Sequence, residues 1–388
     1  MASFLARIAC EHFAFGLLIP VYIVLLTEQL GLSLAQAGLA VSCTAVASFI
    51  LEMPAGVLAD KIKRKYLLLG SSILHLFSFV TLFLADDISL VLISAILTGA
   101  AFALASGTEE SYVHDSVKKE DNVSFEKKLS RVSITDEAAT ILGMLSSSFI
   151  LIYFNYSILL GVATFLLGGA VFSSMLLHET KNTATATSNR ERFIRKINTK
   201  LSLSLLITFL LLAVLAESGR LLWQPQLLAT GWTAVQLGYV FAIIKLGSIA
   251  GAYIAGETKV KSLNAILLGG VVGAIGLSLF SLNLYLINLG GLALYLLAEN
   301  FVRIHTTSFI LSLPNLQKHK ATALSLYSIV NNSYLSLSAL LLGVVATSSL
   351  TGALLAVAVI KTFAAVCLIL VVTYINRYRS GQSFPSQH

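Results

Sequence analysis

Twelve times along this chain an apolar run approaches the ~20 residues a helix needs to cross a bilayer. That recurrence constrains the fold more than any single motif does. A chain built this way must satisfy every backbone N–H and C=O inside its own helices, because hydrocarbon offers no partner. The predicted class is therefore an all-α membrane protein of twelve transmembrane helices. The first six spans run roughly over 4–27, 36–59, 66–85, 88–113, 129–152 and 157–178. The second six run roughly over 201–229, 234–256, 262–282, 284–312, 321–346 and 351–376. Between the sets lies a polar stretch rich in Thr, Asn, Lys and Arg. The expected organisation is an N-terminal six-helix bundle (1–178), a cytoplasmic linker (179–200) and a C-terminal bundle with a short tail (201–388). Two such sets suggest duplicated, pseudo-symmetric halves, an arrangement that places a substrate site near the membrane midplane.

Charge placement orients the spans. Only 12% of the residues are charged and 56% are hydrophobic, about half the charge density of a soluble domain. The net charge of +7 does not point to nucleic acid. Of the 26 Lys and Arg, 22 are counted to segments on one side of the membrane, Arg7 at the N-terminus among them, and the alternate loops hold none. By the positive-inside rule both termini are cytoplasmic, and the expected location is the inner membrane of a bacterium. Cys10, Cys43 and Cys367 lie in apolar runs without CxxC spacing, so no disulfide framework or zinc site is expected. The first apolar run is too long for a cleavable signal.

The loop after the second span reads Gly56-Val57-Leu58-Ala59-Asp60-Lys61-Ile62-Lys63-Arg64-Lys65. It resembles the signature loop of the major facilitator superfamily, Gly-x-Leu-Ala-Asp-Arg-x-Gly-Arg-Lys, with Lys63 in place of the second glycine. The segment Ser106-Gly107-Thr108-Glu109-Glu110-Ser111-Tyr112-Val113-His114-Asp115-Ser116, with Glu52-x-Pro54-x-Gly56, is similar to a drug-exporter-like bacterial branch of that superfamily. The resemblance implies a gating role for Gly56, Asp60, Arg64 and Asp115, the last three as a charge relay. The fifth span has Gly143 but no proline, so the family's antiport mark is missing.

Charges inside the spans cost roughly 2.5–3.5 kcal/mol each on insertion scales, so they mark function or pair with one another. Acids dominate the N-terminal spans: Glu11, Glu52, Glu109, Glu110, Asp136 and Glu137. The bases Arg220, Lys245, Arg303 and Lys361 all fall in the C-terminal spans, with Glu217 and Glu299. The spacings Glu217/Arg220 and Glu299/Arg303 place each pair on one helix face, either as locally neutralised structural pairs or as switching partners. The proton-coupling candidates are Glu109, Glu110, Glu217 and Glu299. Candidates for the substrate cavity are Glu11, Arg220, Trp223, Lys245, Asn300, Arg303 and Asn331. Pro225 should perturb the seventh span near its outer end, and Trp223 either faces the cavity or anchors at the interface.

The expected function is secondary active transport, with proton-coupled efflux of a small amphipathic compound first. Proton-coupled uptake of a nutrient, peptide or siderophore-like compound is the alternative, and a non-transporting sensor is more remote. No Walker-type loop, HExxH or GxSxG occurs, which argues against ATP as a direct energy source and against an enzyme. The expected partners are a small-molecule substrate, protons and the lipid bilayer. No cofactor, metal or nucleic acid is expected, and the chain is expected to act as a monomer.

Overall fold

The computed structural model describes all residues except 107, 116–124, 179–198, 217–218, 259, 283, 313–319 and 381–388. Helices account for nearly every described residue, and no strand occurs among them. In chain order they are α1 (Ala2–Leu18), α2 (Tyr22–Val24, continued by a π-helical turn Leu25–Gln29), α3 (Leu34–Lys61) and α4 (Arg64–Phe83). Then follow α5 (Ile88–Ala105), α6 (Thr108–Asp115), α7 (Phe125–Tyr153) and α8 (Tyr156–Met175). The rest are α9 (Thr199–Ala216), α10 (Trp223–Ala229), α11 (Ala234–Glu257), α12 (Ser262–Phe280), α13 (Tyr285–Ser312), α14 (Lys320–Ser348) and α15 (Leu350–Ser380). Among the described residues, eleven helices are long and apolar enough to cross a membrane, or twelve if the bent α1–α2 pair is counted as one span.

Local chemistry sets several helix starts. The Ser33 hydroxyl accepts from the Gln36 backbone N–H, and the Gln36 side chain accepts from the Ser33 N–H, a reciprocal capping box that opens α3. Asp87 caps α5 through the Leu90 N–H at 3.2 Å, and Asn155 caps α8 through the Ile158 N–H at 3.0 Å. All three caps lie in short loops without basic residues.

Two spans are not continuous. The first bends by 54° between α1 and α2, where Pro20 removes a backbone donor. The seventh is helical to Ala216 and again from a 3-10 turn, Arg220–Leu222, into α10, with residues 217–218 outside the described ones. Gly219 takes a positive φ of 74° ahead of that turn, a backbone conformation that glycine adopts without strain.

The described contacts gather into two units. The first comprises Met1–Ala184, Leu221–Lys245 and Ala339–Leu350. Within it α1 packs on α7 and α8, α3 on α5, and α4 on α5 and α8. Close crossings depend on glycine: a Cβ on Gly16 would lie 2.3 Å from the Thr140 carbonyl, and one on Gly143 would lie 2.4 Å from that of Phe13. The start of α11 reaches α7 in the same way, since a Cβ on Gly238 would meet the Met144 carbonyl at 2.2 Å. The second unit comprises Thr185–Arg220, Leu246–Ser338 and Thr351–His388. Its core gathers Phe209, Leu212, Leu215, Ile266, Val302 and Leu368, among others, and α13 packs on both α12 and α9.

Candidate functional site

The first unit holds a buried ionic network centred on Arg7. This arginine, counted in the sequence with the cytoplasmic basic residues, is fully buried within α1 and adds a base to the acids of the N-terminal spans. Its position follows from the helix: Arg7 and Glu11 are one turn apart on α1, so both side chains enter the bundle on one face. Arg7 Nη2 meets Glu11 Oε2 at 2.9 Å, Nη1 donates to Glu109 Oε1 at 2.8 Å, and Nε donates to Ser72 Oγ at 3.0 Å. Ser72 in turn shares a 3.0 Å hydrogen bond with Ser174 of α8. The other oxygen of Glu11 is held by His75 Nδ1 of α4. One guanidinium thus binds two carboxylates and a hydroxyl from three helices, which compensates charges that would be costly alone.

A second group sits beside it. His12 Nδ1 lies 2.5 Å from Asp136 Oδ1, and Lys245 Nζ lies 3.1 Å from Glu137 Oε2. All four side chains are partly exposed. Trp223 is buried and its ring lies 6.1 Å from that of Phe241, a packed core position.

Gln224, the next residue, bridges two helix breaks. Its Oε1 accepts from the N–H groups of Ile23 (2.7 Å) and Val24 (3.3 Å), and its Nε2 donates to the Ile19 carbonyl at 2.7 Å. Those are backbone groups left without helical partners at the α1–α2 bend, so one carboxamide stands in for the missing turn.

The second unit carries its own charges. Arg220 Nη2 donates to Glu299 Oε1 at 2.8 Å; the arginine side chain is 54% exposed and the glutamate 6%. Arg303 donates to Asn300 Oδ1 from Nε (3.1 Å) and Nη2 (2.8 Å), while Asn300 Nδ2 donates to the Ser248 carbonyl at 2.7 Å. These contacts correct the Glu299/Arg303 pairing expected from spacing: Glu299 is held by Arg220 and Arg303 turns to Asn300. The expected Glu217/Arg220 pair lies outside the described residues, because Glu217 does. Asn331 Oδ1 is buried with no hydrogen-bond partner. Lys361, fully buried in α15, donates to the Leu215 carbonyl at 2.6 Å and lies 5.3 Å from the Tyr295 ring centroid. It places a positive charge near the C-terminal end of the described part of α9.

Glu217 lies outside the described residues, as do the side chains of Glu110, Asp60 and Asp115 and the surroundings of Gly56. Arg64 opens α4. Sequence reasoning missed Arg7, His75, Gln224 and Lys361 as structural centres. A signal existed for the first two: a base at helical spacing from Glu11, and a histidine in mid-span. Gln224 offered none, because its partners are backbone groups about 200 positions away.

The helices define a polytopic membrane protein that carries paired charges within its spans. A model of the Major Facilitator Superfamily matches residues 8–339, and the chain belongs to that family. Among solved structures it is similar to the nucleoside transporter NupG (TM-score 0.83, 12% identity, covering 95% of this chain and 99% of that one). It is also similar to a POT family transporter in complex with a thioalcohol-conjugated peptide (TM-score 0.74, 10% identity, 96% of each chain). A third is the POT family transporter PepTSo (TM-score 0.71, 13% identity, 97% and 98%). At these identities the likeness is one of fold. No curated protein matches the chain in sequence.

Proposed function

We propose that this protein is a proton-coupled transporter that takes up a small polar metabolite by alternating access. The observation that carries the reading is the presence of two sets of ion-paired charges inside apolar spans, around Arg7 and around Arg220–Glu299. Such charges are costly in hydrocarbon and are kept where a pathway needs them. The proton-coupling candidates remain Glu109, Glu110, Glu217 and Glu299. The cavity candidates remain Glu11, Arg220, Trp223, Lys245, Asn300, Arg303 and Asn331, with Gly56, Asp60, Arg64 and Asp115 as the gating loop. On this reading residues 1–178 and 201–388 act as the two rocking halves, joined by 179–200. The protein works as a monomer in a bacterial inner membrane with both termini in the cytoplasm. Uptake is placed first because its fold neighbours include a nucleoside transporter and peptide-binding POT transporters. Export of an amphipathic compound is the second reading, favoured by the exporter-like Ser106–Ser116 segment.

Proteoliposomes separate them. With an inward proton gradient, radiolabelled nucleosides and dipeptides should accumulate and collapse of the gradient should stop them. Accumulation of an amphipathic dye in inside-out vesicles acidified within, with no uptake of either metabolite class, would reverse the direction.

A further inference from the structure

We propose that Arg7, Glu11 and His75 form a proton-holding centre that controls how tightly Glu109, and with it α6, is held. The inference rests on the transporter reading and adds to it a site that includes Arg7 and His75, which belong to neither the cavity nor the proton-coupling candidates.

Arg7 contributes one positive charge and Glu11 and Glu109 two negative ones, so with a neutral imidazole the group carries a net single negative charge. Arg7, Glu11 and His75 are all nearly inaccessible (0%, 3% and 1%). An uncompensated charge in such surroundings is costly, and one added proton removes it. The surroundings of His75 suit that proton. Nδ1 faces the Glu11 carboxylate, and the rings of Phe15 and Phe102 stand nearly perpendicular to the imidazole at 4.9 and 5.1 Å. An imidazolium would have the Glu11 carboxylate against its Nδ1. Its Nε2, buried and without a hydrogen-bond partner, is the open position for the proton.

The other charged groups nearby are few. On α1, His12 is engaged with Asp136 of α7, where Glu137 is held by Lys245. α6 adds Glu110, His114 and Asp115 in sequence. α4 carries only Arg64 and Lys65 at its first turn, and α5 and α8 carry no charged residue. His12, next to Glu11 in sequence, also acts electrostatically on Glu11 and Glu109, so its charge adds to that of the centre.

Coupling follows from the double duty of Arg7. With the proton on the Glu11–His75 pair, Glu11 is compensated by the imidazolium and Arg7 is free to hold Glu109. When the proton leaves, Glu11 draws on Arg7 and the hold on Glu109 weakens. Glu109 is the member whose side chain is accessible, at 28%, and it lies in the first turn of α6, just past the end of α5 at Ala105. Proton loss thus loosens α6.

The test uses the full-length protein in lipid nanodiscs, with ¹⁵N-labelled histidine and the His75 signal assigned from His75→Gln. The His75 signal is followed from about pH 5 to 8 in the native protein and in Glu11→Gln, and the proposal requires a change of charge state that the substitution alters. In a background with Cys10, Cys43 and Cys367 replaced by serine, maleimide labelling of Ser106→Cys should depend on pH over the same range. That dependence should be lost in His75→Gln and Glu11→Gln and kept in His12→Gln. A His75 signal constant across the range overturns the proposal. So does labelling whose pH dependence survives both substitutions. If His75→Gln does not fold, Glu11→Gln read on the native histidine decides the same question. Neither measurement needs a substrate, so a centre that titrates without any proton-driven flux would sink the transport reading and leave this one standing.

Discussion

At the residue scale, the buried charges are interdependent. Replacing Arg7 with Met leaves Glu11 in a dry site with only His75 to answer it. Removal of one partner from a buried ion pair costs about 3–5 kcal/mol, so Arg7→Met should lower the unfolding temperature in detergent markedly. The double variant Arg7→Met/Glu11→Gln should recover much of that loss, because a neutral pair needs less compensation. An equal or larger loss in the double variant would mean that packing rather than charge explains the site. Arg220 offers a contrast. Its side chain is half exposed while Glu299 is buried, so Arg220→Gln strands a carboxylate without emptying a core position. The expected result is transport lost with the unfolding temperature little changed, and unaltered flux would remove Arg220 from the cavity.

At the element scale, the breaks in the first and seventh spans matter more than their lengths. Gln224 satisfies three backbone groups at the α1–α2 bend. Gln224→Leu is close in volume but leaves those groups unpaired, each at about 1–3 kcal/mol. Spin labels on α2 and α10 should then report a broadened, longer distance, and an unchanged distribution would show that the amide is incidental. Gly238 tests a neighbouring contact. A leucine there cannot coexist with the Met144 carbonyl at 2.2 Å, so Gly238→Leu should favour a state in which α7 and α11 are apart, read by a label pair on those helices.

The breaks also mark what the sequence could and could not convey. Helix number was legible because a 20-residue apolar run has few other uses. Pro20 and Pro225 were visible, yet the consequence at Arg220 was not. The i, i+3 argument assumes a continuous helix between Glu217 and Arg220, and Gly219 between them takes a positive φ of 74°. Glu299 and Arg303 do share a helix, but Asn300 competes for the guanidinium, and spacing alone does not rank a carboxylate against a nearby amide. The Arg7 network was half legible: Glu11 was a candidate, while Arg7 was counted with the terminal basic residues because charge near a span end usually belongs to the interface.

At the scale of the whole molecule, the orientation is open to direct test. With the basic loops in the cytoplasm, a cysteine at Asp86 in a cysteine-free background should react with an impermeant maleimide in intact cells. One at Lys261 should react only after permeabilisation. The reverse pattern would invert the topology.

Lys361 has a bearing on how the chain is made. The carbonyl it caps, that of Leu215, precedes it by 146 residues. During synthesis α9 is made long before α15, so this carbonyl meets its lysine only when the last helix arrives. A chain ending ahead of α15 would lack that donor, and the last helix made thus completes the hydrogen bonding of one made 146 residues earlier.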